Sequence, residues 1–310
     1  MVVMRTVVPS YYTGFRCIAD KCKHSCCVGW EIDIDEDTVT LYDDPQTPLY
    51  KPLQQHIDRS TDTPHFRLDE SERCPFLTST GLCRIIQTMG EESLCQICAD
   101  HPRFRNYFSD HTEIGLGLCC EAAAKRILYA DHVRWIVLDD DGIADTCTPE
   151  ECDFLTRREQ IYAILQDRET PLSVRLDKML TVCHARLPQK TVGAWTAVYR
   201  ALEQLDPTWD KLLSPLVADD TPLQLPMGET IWDMPLENLA LYFTFRHLAD
   251  ALDDDRLAAR AAFCVLSVSY LYALLAKHGG DVVEVARLYS SEIEYSEENM
   301  ETLLALLEEA

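Results

Sequence analysis

The sequence predicts a mainly α-helical protein in two parts. An N-terminal cysteine-rich, metal-binding domain with short strands is expected over residues 1–138, followed by an α-helical domain over residues 139–310. Three observations carry that expectation. Twelve of the 14 cysteines fall before residue 153. The first part of the chain is broken by prolines and short elements, whereas the part beyond residue 125 carries long runs with helical periodicity. At 310 residues, 47% of them hydrophobic and 26% charged, the chain is ordinary for a soluble globular protein of about two domains.

Residues 31–35, EIDID, alternate apolar and charged side chains and suit a short strand. Segment 40–73 contains Pro45, Pro48, Pro52 and Pro64 and reads as turns with one short helix. Helices are expected over 84–97 and over 119–137, where CCEAAAKRILYADHVRWIV combines strong helix formers with an apolar stripe. The polar stretch DDDGIADTCTPEE then divides the halves. Beyond it the periodicity predicts helices over 150–167, 170–186, 191–205, 235–252, 255–278, 281–291 and 296–309. Pro207, Pro215, Pro222, Pro226 and Pro235 punctuate a loop-rich connection. Ser296, with Glu298 and then an apolar run, gives the last helix its start. There is no internal repeat and no low-complexity tract.

The charge balance excludes some partners. With 28 Lys and Arg against 52 Asp and Glu, the net charge is −24, a field that repels polyphosphates and disfavours nucleic acid. A cationic, lysine-bearing partner is attracted by the same field, although a self-repelling solvated surface gives the same composition. The N-terminus lacks the basic and apolar regions of a secretory signal. The longest uncharged stretch, Ala261 to Ala276, is short for a bilayer span. A cytoplasmic protein without a membrane partner is therefore expected.

Under reducing conditions a disulfide framework is disfavoured, so clustered cysteines point to metal or redox chemistry. The first cluster is Cys17-x4-Cys22-x3-Cys26-Cys27; Cys74, Cys83, Cys95, Cys98, Cys119 and Cys120 follow. Both structural zinc and iron–sulfur centres take thiolates, and the spacing leaves both open, although the first block lacks the two-residue interval of zinc ribbons. Cys183 and Cys264 sit alone in apolar helical surroundings and read as buried thiols. A catalytic cysteine would need one thiol and a base such as His24 or His101, not a crowd of thiols. Cys95-x2-Cys98 has redox-motif spacing without the βαβ pattern that accompanies it. Gly115 and Gly117 form a bare GxG, so no nucleotide-cradling loop is visible.

Taken together, the stretches FRCIADKCKHSCCVGWEIDID (15–35), CPFLTSTGLCRIIQTMGEE (74–92), CADHPR (98–103) and LCCEAA (118–123) resemble the flagellin lysine-N-methylase family. ENLALYFTFRHL (237–248) and SSEIEYSEENMETLL (290–304) resemble it as well. The cysteine block is also similar to a wider group of small cysteine-rich proteins described as zinc- or iron-chelating. The resemblance implies methyl transfer from S-adenosylmethionine to lysines of flagellin or a related protein, and a cysteine-ligated 4Fe-4S cluster. By position, the ligands it implies are Cys17, Cys22, Cys26, Cys27, Cys74, Cys83, Cys98 and Cys119. Cys95 and Cys120 stand where that pattern asks for no cysteine.

A lysine amine is almost wholly protonated at neutral pH, so a methylase must desolvate it or supply a base. Trp30, Glu31 and Asp33, directly after the cysteine block, are the candidates: an indole face holds a cation and a carboxylate takes a proton. The same residues also fit a half-buried strand whose carboxylates face water. Glu121, beside Cys119, is a further candidate, and Arg103 a candidate for a cofactor carboxylate. His247 and the nearby Tyr242, Phe243 and Phe245 read as core. The alternative function is a non-enzymatic iron–sulfur or zinc-binding redox sensor with a helical interaction domain.

Overall fold

The computed structural model describes residues 5–139, 146–226 and 230–309; residues 140–145, at the start of the polar stretch expected to divide the halves, lie outside them. The chain folds as two compact units, Arg16–Arg103, and Met1–Phe15 together with Phe104–Ala310. This division differs from the one expected at residue 138, because residues 104–138 fold with the helices.

The elements begin with strand β1 (Arg5–Pro9), helices α1 (Glu36–Asp43) and α2 (Tyr50–His56), and strands β2 (Ile57–Asp58) and β3 (His65–Phe66). Helices α3 (Arg84–Met89) and α4 (Gln96–Asp100), strands β4 (Arg103–Tyr107) and β5 (His111–Leu116), helix α5 (Glu121–Leu128) and strand β6 (Trp135–Asp139) follow. Then come α6 (Pro149–Leu165), α7 (Leu172–Val182), α8 (Val192–Ala201), α9 (Pro207–Leu213), α10 (Asp233–His247), α11 (Ala251–Asp254), α12 (Leu257–His278), α13 (Val282–Ile293) and α14 (Glu297–Glu308).

In the smaller unit EIDID is extended as expected, with Ile32 and Ile34 buried and Glu31 and Asp33 exposed. It runs antiparallel to residues 64–66: the Phe66 amide donates to Ile32 at 3.0 Å and the Ile34 amide to Pro64 at 2.8 Å. Asp35 caps α1 by accepting from the Thr38 amide at 3.0 Å. Ile32, Ile34, Tyr42, Leu53, Phe66 and Phe76 form the core together with Cys74 and Cys95. Two differences from expectation appear here. Segment 40–73 holds the end of α1 and all of α2, with the pair β2–β3. The helix expected over 84–97 stops at Met89, because Gly90 takes a φ of +93° that ends a right-handed helix and favours glycine.

The larger unit contains a four-stranded sheet, in the order β4-β5-β1-β6, that was not expected. β1 pairs parallel with β5 and antiparallel with β6, which places Val7 opposite Val137 and Val8 opposite Ile136. The helix expected over 119–137 is therefore corrected: it ends at Leu128, and WIVLD is an edge strand. The later helices fall close to expectation. Thr148 and Glu151 form a reciprocal capping box at α6, and Ser296 caps α14 through the Asn299 amide at 3.2 Å. α12 is long and apolar enough to cross a membrane by composition, but 78% of its most apolar window is buried within this unit. It packs against α10, α14, α13 and α7 as the core helix. Ser267 and Ser269 donate to the carbonyls of Phe263 and Val265, which satisfies both hydroxyls inside the helix. Cys183 and Cys264 are buried, as the sequence implied. Against the expectation of no disulfides, Cys147 and Cys152 are bonded to each other at the start of α6.

Candidate functional site

The smaller unit gathers five thiols. The Cys74 amide donates to the Cys27 carbonyl at 2.8 Å, and the bridges Val28–Arg73 and Leu77–Cys83 bind the first cysteine block to the CPFL and GLC turns. Asp35 completes the frame, since its carboxylate also accepts from the Gln96 amide at 2.7 Å and so ties EIDID to α4 and its cysteines. The consequence is electrical as well as geometric. Burial pushes the Cys74 thiol up to about 12, with Cys27, Cys83 and Cys95 adding to the rise. Burial also raises Cys83, in the field of Cys27 and Cys95. Cys95 and Cys98 share a hydrogen bond that lowers the first and raises the second. Cys27 is held down at about 7, chiefly by a hydrogen bond from Cys26.

Of the expected ligands, Cys27, Cys74, Cys83 and Cys98 thus come together. Cys17 and Cys26 are exposed and Cys22 is half-buried, with its thiol donating to the His24 carbonyl at 3.2 Å. Cys119 belongs to the larger unit, where burial pushes it up to about 12 and Tyr295 hydrogen-bonds it. Cys95, among the clustered cysteines of the sequence but outside the ligand set that the resemblance implies, is 1% exposed and interacts with Cys74, Cys83 and Cys98. Its two-residue interval from Cys98, which also suits a shared metal, is the sequence signal for it. Soft, partly buried sulfur donors in this number suit a thiolate-held metal. Among the described residues, however, donor atoms of three His, Cys, Asp or Glu side chains come mutually within 4.8 Å only at Glu31, Asp33 and His65, and no three thiols are that close.

Glu31 and His65 line a pocket of about 380 Å³ in the same unit, with Trp30, Asp58 and Glu72 among others, and Asp33 lies beside these two rather than in the lining. Glu31 and Asp33 share a face because they are two apart on an extended segment, and Asp33 is paired across the bridge with His65. The His65 ring lies 3.5 Å from Glu31 and 3.2 Å from the Thr63 carbonyl. The Trp30 indole donates to the Cys26 carbonyl and tilts against His101 at 5.7 Å, so its orientation is fixed by the cysteine block. Burial lowers His101 to about 4 and keeps it neutral. Arg67 is engaged by Asp58 at 3.1 Å, which leaves the pocket's edge acidic. Arg103 donates to the Ala99 carbonyl at 3.2 Å, at the end of α4. Glu121 is the first residue of α5, half-buried, in the larger unit.

The larger unit has a pocket of about 330 Å³, lined by Phe104, Arg246, His247, Asp250, Arg260 and Glu294 together with the start of α14. Glu294, whose side chain is fully buried, is its hub. The carboxylate takes Arg246 at 3.1 Å, His247 at 2.7 Å and the Tyr242 hydroxyl at 2.9 Å. That hydroxyl accepts in turn from Arg246 at 2.8 Å and from the Leu118 amide at 3.2 Å. Burial raises the Glu294 carboxyl, but Arg246 and His247 outweigh it and hold it below the usual range. Burial lowers His247. Tyr242, Phe243 and Phe245 are core residues, as read from the sequence, whereas His247 also lines the pocket.

No family profile matches the chain, and no solved structure matches it. Curated relatives do. It is 29% identical over 126 residues to the lysine-N-methylases of Salmonella typhimurium (strain LT2) and Salmonella choleraesuis (strain SC-B67). The match covers 39% of this chain and 31% of each of those proteins. The flagellar biosynthetic protein FliU of Salmonella muenchen is 29% identical over 126 residues, 75% of its length. The resemblance read from the sequence is thus met by curated relatives named for lysine N-methylation and for flagellar biosynthesis.

Proposed function

We propose that the protein is a cytoplasmic lysine N-methyltransferase acting on flagellin or another lysine-bearing protein. The observation that carries this reading is the acid-edged, tryptophan-walled pocket of the smaller unit, in a chain similar to lysine-N-methylases. A lysine side chain needs an apolar or aromatic wall for its stem and an anion for its ammonium. Trp30 offers the first, and Glu31 and Asp33 the second. One of these carboxylates takes the ammonium proton, since a protonated amine has no lone pair. S-adenosylmethionine supplies, when bound, a methyl group on a positively charged sulfur. With the amine lone pair freed by Glu31 or Asp33, transfer of that methyl group would leave the electrons of the C–S bond on sulfur and would require no radical. Glu121 and Arg103 are assigned no step; the half-buried position of Glu121 at the start of α5 is that of a first-turn acid.

The metal centre is part of the proposal. Cys27, Cys74, Cys83 and Cys98, joined by Cys95, are the donor set, with a 4Fe-4S cluster the form implied by the resemblance and zinc its competitor. Because Trp30 hangs from the Cys26 carbonyl, a metal in this set would hold the wall of the lysine pocket in place. The test incubates the anaerobically purified protein with methyl-labelled S-adenosylmethionine and flagellin. Label on lysine is the expected result. Intact metal with no transfer to flagellin or to other lysine-bearing proteins would overturn the reading in favour of a non-enzymatic sensor.

A further inference from the structure

ENLALYFTFRHL (237–248) and SSEIEYSEENMETLL (290–304) contain no cysteine and so lie outside the proposed metal site. In the fold they meet. Arg246 and His247 from the end of α10, Glu294 from the end of α13, and Glu297, Met300 and Glu301 from α14 line the pocket of about 330 Å³ in the larger unit. We propose that this pocket binds the methyl donor, S-adenosylmethionine. The proposal rests on the methylase reading and adds to it the place where the donor is held.

The chemistry of the lining supports the assignment. The donor is an amino-acid zwitterion with one further positive charge on sulfur and a flat, weakly polar base. A lysine side chain needs anions and an apolar wall alone; a zwitterion needs both signs. This pocket has both: Arg260 and Arg246 on one hand, Asp250, Glu297 and Glu301 on the other, with Phe104 and Met300 as apolar surface. Its volume falls in the range of small-molecule sites. Its floor is already ordered, since Glu294 ties Arg246, His247 and Tyr242 into one hydrogen-bonded group, and a ligand bound there meets groups fixed in advance. Arg260 is likewise held, by Asp250 at 2.8 Å and Asp254 at 2.6 Å.

Equilibrium dialysis of the full chain against methyl-labelled S-adenosylmethionine tests the proposal without requiring turnover. Saturable binding is expected. Met300→Trp, which fills the pocket, and the exposed pair Glu297→Gln with Glu301→Gln should each weaken it at least tenfold. Glu298→Gln, on the same helix outside the lining, should leave it unchanged. The double glutamine variant changes only exposed side chains, so it remains a fair test if Met300→Trp fails to fold. Donor binding that is unaltered in the double glutamine variant would overturn the pocket assignment while leaving the methylase reading intact. A wild-type chain that binds no donor would overturn both.

Discussion

Glu294→Gln changes one atom of the larger unit's pocket floor and removes one charge. In the native chain the carboxylate faces Arg246 at 3.1 Å and His247 at 2.7 Å, with its side chain fully buried. Glutamine can still accept a hydrogen bond but leaves the Arg246 guanidinium without a counter-charge, at a position that is mostly buried. Breaking a buried pair from one side costs on the order of 3–5 kcal/mol, and we expect about 4 kcal/mol here. The Arg246 guanidinium also lies 5.0 Å from the Phe104 and Tyr295 rings, and that attraction keeps the loss from growing further. Urea unfolding followed by tryptophan fluorescence and by far-ultraviolet circular dichroism reads the difference. Adding Arg246→Met removes the orphaned charge, so the double variant should lose less than the sum of the two singles by at least about 1 kcal/mol. The pH dependence has a definite sign. A carboxyl held below its unfolded value stabilises the fold above that value, and the contribution is lost as the pH falls through the lowered one. Glu294→Gln should therefore flatten the acid limb of the stability curve. A loss below about 1 kcal/mol, or strictly additive losses, would refute the view that this group is a paired, desolvated network.

Three other outcomes are expected. Cys95→Ser should lower bound metal per chain as strongly as Cys74→Ser, while Cys183→Ser leaves it unchanged; elemental analysis and the visible spectrum of anaerobic protein check this. Asp33→Asn or Glu31→Gln should reduce methyl transfer roughly 10²-fold without lowering the melting temperature, because both carboxylates are exposed and their loss touches no core contact. Gly115→Ala would place a methyl group into the ring of Phe104, an overpacking that should cost about 1–3 kcal/mol in chemical denaturation.

The legible parts of this fold are those whose information is local. α6, α7, α10, α12 and α14 carry their own periodicity, and the caps at Thr148 and Ser296 announce their ends. The sheet is the opposite case. β1 and β6 are five residues each and nearly the whole sheet unit apart in sequence, so neither carries a period long enough to read. WIVLD follows directly on a run of helix formers and was absorbed into it. Gly115 was noticed as half of a failed nucleotide motif, whereas its role is to let the Phe104 ring approach the strand. Among the candidate site residues, Glu31 and Asp33 are legible because they are carboxylates directly after the cysteine block. His65 is not, since only pairing across the bridge at Asp33 brings it near.

The acidic balance takes on a more definite meaning once the buried charges are counted off against one another. Arg158 lies against Glu113, Arg175 against Glu237, Arg246 against Glu294, and Arg260 against Asp250 and Asp254. Desolvated guanidinium groups require such partners, so several of the 28 cations are consumed inside the fold and the excess of 24 acids is expressed largely outward. Such a field speeds the encounter with any basic surface, but it is screened over about 8 Å at physiological ionic strength and cannot distinguish lysine from arginine. That distinction has to arise at the pocket, and the proposed chemistry supplies it. A carboxylate such as Asp33 can take a proton from an ammonium and free a lone pair on nitrogen. A guanidinium, effectively always protonated, binds the same acids and yields no nucleophile. On this reading the surface recruits basic partners in general, and the proton transfer at Glu31 or Asp33 selects lysine among them.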